Sequence, residues 1–247
     1  MGYCPWKDRK KYVANIGVVF GQKSQLWFDL PAIDTFEMLR TVYSVPKVAF
    51  QRRLNYMTKL LDVEEVIKSP VRKLSLGERM KCEVIASFLH NPKILFLDEP
   101  TIGMDVISKN KLRVFVKKIN KQYGTTVILT THNMEDVEKL CKRIILINHG
   151  KIVYDGLLKD IVEKYIHSKT LRIKFGSTTG ALRLPKGTKI IKKTTYSAEI
   201  EVYIKKQKVQ KVIAHLLKHF DVEDIAIDEP PIDEVIEDIY RHEGAEQ

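Results

Sequence analysis

The chain of 247 residues carries 42 Lys and Arg against 31 Asp and Glu, a formal net charge of +11, with 44% apolar and 30% charged residues. This balance is typical of a globular protein and excludes a disordered or fibrous one. No apolar run approaches the ~18–20 residues that a membrane span needs, and the first residues contain no secretory apolar stretch. The three cysteines, Cys4, Cys82 and Cys141, show neither a CxxC pair nor metal-ligand spacing, which favours a reduced, cytosolic protein.

The charge is distributed unevenly along the chain. Residues 221–247 contain 11 acidic side chains and one basic side chain, so the rest of the chain holds 41 basic against 20 acidic side chains. A basic body suits nucleic acid, an anionic membrane surface or a phosphate-bearing ligand, and it equally suits a solvated, lysine-rich surface. Charge alone therefore selects none of these partners.

The first ninety residues predict one strand followed by three helices. The apolar stretch 12–20 is typical of a buried strand, and it ends in the polar turn 21–23. Asp34 and Glu37 have the spacing of a capping box at the start of the first helix. The other two predicted helices, each with an apolar stripe at helical spacing, are 49–61 and 78–90.

From residue 94 onward strands and helices alternate. The predicted strands are 94–97, 126–129, 143–147 and 151–154, and the predicted helices are 109–122 and 133–141. Because parallel strands alternate with helices in this way, the pattern predicts an α/β sheet covered on both faces. After about Ser168 the pattern changes to that of a small α+β unit. Its predicted strands are 171–175, 189–193, 198–204 and 224–227, and its predicted helices are 209–220 and 232–240.

The stretch Ile94-Leu-Phe-Leu-Asp98-Glu99-Pro100 ends a buried strand in two carboxylates. In an open α/β sheet, ligands bind at the carboxyl ends of the strands. A carboxylate there can hold Mg²⁺ with its waters retained, and the neighbouring carboxylate can orient a water for attack on a phosphate. The alternative is a buried strand followed by a capped turn, without any chemistry.

Two further stretches bear on a phosphate ligand. Leu74-Ser-Leu-Gly-Glu78 opens a predicted helix, where free N–H groups and the positive end of the helix dipole suit an anion. A simple N-cap explains Ser75 equally well. The strand 126–129 ends in Thr130-Thr131-His132, which places His132 in the same row as Asp98 and within reach of a phosphate oxygen, although a lone histidine is more often structural.

The order Gly21-Gln22, LSLGE, ILFLDEP, TIGMD and TTH resembles the nucleotide-binding subunit of ABC transporters. The resemblance covers about residues 1–165, with the five motifs in the expected order and spacing. The wording GYCPWKDRKKY…IGVVFGQKSQLWFDLP further resembles the ATPase branch that serves ABC-2-type exporters. The resemblance implies a P-loop NTPase-like α/β core over 1–165 with a helical subdomain at about 23–90. It also implies an accessory α+β domain over 168–247.

The resemblance implies catalytic and metal-binding roles for four residues. Glu99 would polarise the attacking water, and His132 would contact the γ-phosphate. Asp98 would hold Mg²⁺ through water. Gln22 would touch Mg²⁺ or the attacking water and couple the site to a membrane partner, which makes it a catalytic, nucleotide-binding and metal residue together.

The resemblance also implies a nucleotide-binding surface shared between two subunits. Ser75, Gly77 and Glu78 would form the signature that grips the γ-phosphate bound on the opposite subunit, and Asp105 would lie at the seam of the dimer. The implied ligands are ATP and Mg²⁺. The implied partners are a second ATPase subunit, in a homo- or heterodimer, and a transmembrane permease subunit on which 22–75 docks. No specific nucleic acid is expected, and the chain would be cytoplasmic, on the inner face of the membrane.

Two departures from the family pattern affect the expected activity. LSLGE has Leu76 where the family usually has glycine, and Glu78 brings a negative charge near a triphosphate. No GxxxxGK[ST] occurs in the sequence, and that loop supplies most of the grip on the β- and γ-phosphates. Since the family places it upstream of Met1, we expect an N-terminally truncated subunit with weak or no ATP binding. We also expect an unpaired position beside the Asp98 strand, and reduced stability.

Three interpretations stay open at this point. The first, which we favour, is an ATPase subunit that couples ATP hydrolysis to export through a separate membrane subunit. The second is a non-hydrolysing partner that presents Ser75 and Gly77 to the phosphate loop of another subunit. The third is a soluble ABC protein acting on ribosomes or nucleic acid, which the basic charge suits, although such proteins usually carry two ATPase cassettes.

Overall fold

The computed structural model describes residues 1–21, 23–165, 167–178, 180 and 182–244. The chain divides into two compact units, Met1–Leu140 and Cys141–Gln247. None of the described helices combines the length and the apolar content that crossing a membrane requires. The domain limits expected from the family, 1–165 and 168–247, stay a prediction.

A parallel sheet forms the centre of the first unit. Its strands are β1 (Ile16–Phe20), β2 (Ile94–Asp98) and β3 (Thr126–Thr130), in the order β1-β2-β3. Both pairings are parallel, with Phe20 beside Asp98 and Asp98 beside Thr130. The carboxyl ends of all three strands therefore meet at one edge of the sheet, where Asp98 emerges.

Helices make up most of the rest of the first unit. They are α1 (Arg9–Val13), α2 (Ala32–Val42), α3 (Lys47–Leu61), α4 (Leu76–Phe88), α5 (Val106–Tyr123) and α6 (Met134–Leu140), with 3-10 turns at Val66–Lys68 and Val71–Lys73. Phe88 of α4 and Phe115 of α5 are fully buried and pack edge to face, with ring centroids 6.1 Å apart. At Gly17 of β1, a Cβ would overlap the carbonyl oxygen of Ser87 in α4. Glycine at this position therefore lets strand and helix approach each other closely.

Two predicted element boundaries in this unit are wrong. The strand predicted over 12–20 begins only at Ile16, because α1 occupies the residues before it. The capping box predicted from Asp34 and Glu37 does not form, since α2 has Pro31 at its N-cap and no side-chain cap. Asp34 lies in the first turn instead, where a carboxylate is favourable next to the positive end of the helix dipole.

The parallel sheet corrects two further predictions, one about its strand order and one about its faces. β2 pairs with β1 on one side and with β3 on the other, so the strand position beside Asp98 is filled and not vacant. In the described part of the chain, one face of the sheet is packed, with Leu95 and Leu97 buried. Phe20 and Ile128, on the other face, are 53% and 46% exposed. The sheet expected to be covered on both faces is therefore packed on one.

The second unit begins with a hairpin. β4 (Arg143–Asn148) pairs antiparallel with β5 (Lys151–Leu157), and α7 (Leu158–Tyr165) follows. The alternating pattern had placed the 143–147 strand in the parallel sheet, and this prediction is wrong. The connection consists of His149 and Gly150 with φ of 45° and 75°, and such a two-residue turn joins antiparallel strands only.

An antiparallel sheet and two helices complete the second unit. The strands are β6 (Ser168–Phe175), β7 (Thr188–Lys193), β8 (Ser197–Tyr203) and β9 (Val222–Asp228), in the order β7-β8-β6-β9. The helices are α8 (Val209–His219) and α9 (Ile232–Gly244). Val212 and Leu216 of α8 lie in one buried cluster with Leu171 and Ile200 of the sheet. This arrangement confirms the α+β unit predicted for this region.

Candidate functional site

The carboxyl edge of the parallel sheet brings Asp98, Glu99 and His132 together. Asp98 is exposed at the end of β2 and accepts a hydrogen bond from the hydroxyl of Thr130. The Nδ1 atom of His132 lies 2.8 Å from Oε1 of Glu99. Because an ionised carboxylate only accepts hydrogen bonds, Nδ1 carries the proton of this contact. The His132 side chain is 77% exposed, so the pair is open to a ligand.

Glu99 takes an uncommon backbone conformation. Its φ is 47°, in the left-handed region that costs a non-glycine residue about 1–2 kcal/mol. The N–H of Glu99 donates to the carbonyl oxygen of Thr130 at 3.1 Å, which ties this turn to β3. Gly21 faces the same turn, and a Cβ there would lie 2.8 Å from the carbonyl oxygen of Asp98. Gln22, the next residue, lies outside the described residues, so its predicted contacts stay a prediction.

The predicted signature residues form a capping box at the start of α4. The backbone N–H and the hydroxyl of Ser75 donate to the Glu78 carboxylate at 2.9 and 2.8 Å, and the Glu78 N–H donates back to the Ser75 hydroxyl at 3.3 Å. The structural explanation of Ser75 as an N-cap is therefore confirmed. A contact between Ser75 and a nucleotide stays a prediction. The Glu78 carboxylate lies next to the helix N-terminus, where the dipole favours negative charge.

Asp105 lies close to the same helix end. It is the N-cap of α5 and accepts from the Ser108 N–H at 2.9 Å. The hydroxyl and then the N–H of Ser108 hold the pKa of Asp105 below its usual range. A Cβ on Gly77 would meet Ser108 Oγ at 3.4 Å and Asp105 Oδ2 at 3.8 Å, so the N-termini of α4 and α5 are neighbours. The structure thus brings Ser75, Glu78 and Asp105 to neighbouring helix ends, with Gly77 buried where the two helices meet.

Leu76, the departure from the family signature, packs against another glycine. Its side chain lies over Gly103, which has φ of 66° and where a Cβ would overlap Leu76 Cδ2. Leu76 remains 38% exposed. The larger side chain at position 76 is therefore accommodated by the absence of one at position 103.

Sequence reasoning missed a buried ionic network behind the site. Asp136 of α6, with 0% exposure, accepts from the Thr101 hydroxyl at 2.5 Å and from Arg113 Nε at 2.6 Å. Arg113 also contacts Glu135. Burial alone would lower the pKa of Arg113, but its hydrogen bonds to Glu135 and Asp136 outweigh burial and raise it. Lys139, and then Arg113, lower the pKa of Glu135 to about 2. An arginine on the apolar stripe of α5 was the available sequence signal.

Comparison with known proteins points to the family that the sequence motifs resemble. A model of the ABC transporter family matches residues 4–102. The chain is 30% identical over 204 residues to MJ1023 of Methanocaldococcus jannaschii, named an uncharacterized ABC transporter ATP-binding protein, covering 83% of this chain and 71% of that one. It is 26% identical over 239 residues to the linearmycin resistance ATP-binding protein LnrL of Bacillus subtilis, covering 94% of this chain and 76% of that one.

Solved structures share the fold. CbiO1 from Clostridium perfringens, part of the transporter complex cbiONQ, aligns with a TM-score of 0.55 and 24% identity over 63% of this chain and 62% of that one. The dimeric ATP-binding cassette MJ0796, bound to ADP and Pi, aligns with a TM-score of 0.54 and 24% identity over 64% and 68%.

The core is therefore an α/β fold of the P-loop NTPase class, as it occurs in ATP-binding cassettes. The chain belongs to the ABC transporter ATP-binding protein family. Proteins of this family bind ATP and act as ATPases, which agrees with the class that the motifs indicated. The chain spans between 62% and 76% of the length of these proteins.

Proposed function

We propose that this chain is the ATP-hydrolysing subunit of an ABC-2-type exporter, working as one of a pair of ATPase subunits and coupled to a separate membrane subunit. The observation that carries the proposal is the 2.8 Å contact of Glu99 Oε1 with His132 Nδ1, beside Asp98 at the carboxyl edge of a parallel sheet. Ligands of open α/β sheets bind at this edge. The linearmycin resistance relative supports export as the process served.

The donor set at this edge suits magnesium bound together with phosphates. Among the described residues, no group of three or more His, Cys, Asp or Glu side chains could hold a metal ion by itself. Mg²⁺ in phosphate sites needs only one or two carboxylates, because waters and substrate oxygens complete its coordination. Asp98, exposed and oriented by the Thr130 hydroxyl, is the residue that would hold it. When bound, Mg²⁺ neutralises charge on the phosphate oxygens.

Glu99 and His132 divide the remaining tasks. The Glu99 carboxylate orients and polarises the attacking water, with its backbone held at the edge by the bond to Thr130. In the imidazolium form, His132 donates through Nδ1 to Glu99 and through Nε2 to a phosphate oxygen, so that one ring links the base to the γ-phosphate. Gln22 completes the site in this proposal.

The surface of Ser75, Gly77, Glu78 and Asp105 serves the second ATPase subunit. Two neighbouring helix N-termini concentrate N–H groups and positive dipole ends, which favour a phosphate presented by another chain. The dimeric MJ0796 structure supports such a pair. Within this proposal the ATPase domain covers 1–165 and the accessory domain 168–247.

An exposed aromatic segment supports docking on a membrane subunit. Trp27, Phe28 and Leu30 are 45%, 56% and 42% exposed and follow directly on the Gln22 segment. Apolar side chains clustered on a surface mark interaction sites. The membership of CbiO1 in a transporter complex supports a permease as the occupant. In this proposal the chain works on the cytoplasmic side of the membrane.

ATP hydrolysis by the purified chain tests the proposal. At millimolar ATP with Mg²⁺, we expect phosphate release with a high KM, because the sequence contains no GxxxxGK[ST]. Glu99→Gln keeps the size of the side chain but removes the base, and it should lower kcat by about 100-fold or more. Glu138→Gln, an exposed position of α6, is the matched control and should leave the rate unchanged.

A wild-type rate equal to that of Glu99→Gln would refute the hydrolytic role. For that outcome there is a second candidate function, that of a non-hydrolysing partner subunit, which the absence of GxxxxGK[ST] favours. Adding the chain to a family member that carries this loop would then raise the ATPase rate of that member. Ser75→Ala, and not Glu99→Gln, would abolish the increase.

A further inference from the structure

We propose that Asp136 is a positioning residue that sets His132 against Glu99, acting through the buried hydroxyl of Thr101. The catalytic consequence of this inference rests on the proposed function, whereas the positioning itself does not. The geometry that points to it is one residue with bonds to both segments that carry the pair. The carboxylate of Asp136 accepts from Thr101, and its backbone N–H donates to Asn133, the neighbour of His132.

One contact of Asp136 is with the chain segment that carries Glu99. Thr101 follows Glu99 by two residues, is 3% exposed, and donates its hydroxyl to Asp136 Oδ2 at 2.5 Å. Between them lies Pro100, also buried, which restricts the backbone. The turn that carries Glu99 is therefore fixed to the Asp136 carboxylate over a very short stretch of chain.

The contacts of Asp136 reach the His132 side through a tight turn. The Asp136 N–H donates to Asn133 Oδ1 at 3.3 Å, and the Asn133 N–H donates to Thr131 Oγ1 at 3.0 Å. These bonds span the six residues from Thr131 to Asp136, and His132 lies among them. A displacement of the Asp136 end of α6 therefore moves the His132 backbone with it.

Arg113 of α5 holds the other oxygen of the Asp136 carboxylate. Its Nε lies 2.6 Å from Asp136 Oδ1, and its side chain is 4% exposed against 0% for that of Asp136. A buried carboxylate with an arginine and a hydroxyl on separate oxygens has a defined orientation, because each oxygen has its own donor. Asp136, Arg113 and Thr101, here called the Asp136 clamp, thus form a buried support behind the exposed His132 and the half-buried Glu99.

The test removes one hydroxyl and leaves the ion pair in place. Thr101→Val keeps the shape of the side chain and the Arg113–Asp136 contact, and Thr101→Ser restores the hydroxyl. Thr125→Val is the matched control, because Thr125 is equally buried at the amino end of β3 and donates to the Pro92 carbonyl at 3.1 Å. Asp136→Asn is a second variant that perturbs the clamp from the other side.

The first readout is the ring ¹⁵N spectrum of His132 without nucleotide, at a pH where the ring is neutral. In the wild type we expect the tautomer with the proton on Nδ1, since Glu99 accepts from that nitrogen. Thr101→Val and Asp136→Asn should shift the population toward the Nε2 tautomer, and Thr101→Ser should restore the wild-type spectrum. An unchanged His132 spectrum in folded Thr101→Val, or an equal change in Thr125→Val, would overturn the proposal.

The second readout is ATP hydrolysis. A misplacement of about 1 Å lowers turnover by up to about 100-fold, so Thr101→Val should lower kcat by roughly 10- to 100-fold and change KM for ATP by less than about twofold. If kcat is unchanged and the whole effect is a 10- to 100-fold increase in KM, the positioning role is contradicted. If the wild-type chain does not hydrolyse ATP, the proposed function fails while the His132 spectrum still decides the role of the clamp.

Discussion

Glu83 joins α4 to the segment that follows Gln22, and its replacement by alanine should destabilise the first unit. The Glu83 residue is 3% exposed, and its carboxylate accepts from the Ser24 hydroxyl and from the Gln25 N–H, the latter at 3.2 Å. Glu83→Ala leaves both donors without this acceptor and opens a small cavity. Since an unsatisfied buried donor costs about 1–3 kcal/mol, and water reaches these partly buried donors, we expect a loss of about 2–4 kcal/mol.

The charge of Glu83 gives this prediction a definite pH dependence. Burial raises the pKa of Glu83 above its ordinary value of 4.5, and the hydrogen bonds from Ser24 and Gln25 oppose the shift only in part. The folded state therefore binds the proton more tightly than the unfolded state. The stabilising effect of Glu83 is complete below the unfolded pKa and declines as pH rises through the folded pKa. Glu83→Gln, which keeps an acceptor without the charge, should gain stability relative to the wild type from pH 4 to pH 7.

Urea denaturation followed by Trp27 fluorescence measures both effects. Trp27 lies next to the Glu83 contacts, and replacing Trp6, which is 80% exposed, by Phe removes the other tryptophan signal. Glu83→Ala within about 0.5 kcal/mol of the wild type at pH 7 would show that these contacts do not hold the segment. A wild-type advantage over Glu83→Gln that grows with pH would refute the argument from burial.

Three further predictions concern the fold. Gly17→Ala should cost more than about 2 kcal/mol in chemical denaturation, because its Cβ overlaps the Ser87 carbonyl and β1 must separate from α4; an unchanged midpoint contradicts this close packing. Ser75→Ala removes the capping box and should cost about 0.5–2 kcal/mol, whereas Ser75→Asp, itself a good N-cap, should recover most of the loss in the same titration. Leu216→Ala, at a fully buried position of α8, should cost about 2–5 kcal/mol and speed amide exchange in β6 and β8, and persistent protection there would argue against the α8 packing.

Helices and strands were predicted best where the apolar periodicity and the residues that mark the end of an element agree. The helix predicted over 78–90 is observed as α4, and the strand predicted over 94–97 as β2, because Asn91 and Pro92 separate a helical stripe from a run of four apolar residues. The placement of His132 in the row of Asp98 followed from the same logic, since β3 ends at Thr130, which lies beside Asp98. These features depend on neighbours in the chain.

Features that depend on distant neighbours could not be predicted in this way. The order of strands carries no local signal, which is why the expected vacancy beside Asp98 was wrong. Arg113 and Asp136 are 23 residues apart, and only the packing of α5 against α6 brings them into contact. The fit of Leu76 over Gly103 likewise exists only in three dimensions.

The outer strands of the parallel sheet have a consequence for handling the protein. In the part of the chain that the structure describes, β1 and β3 each pair on one side only, and Ile128 of β3 is 46% exposed beside its free edge. Unpaired strand edges next to apolar side chains act as templates for further strands. Concentrated solutions should therefore form assemblies whose growth depends on protein concentration, and a lysine at position 128 should slow that growth without touching the residues of the candidate site.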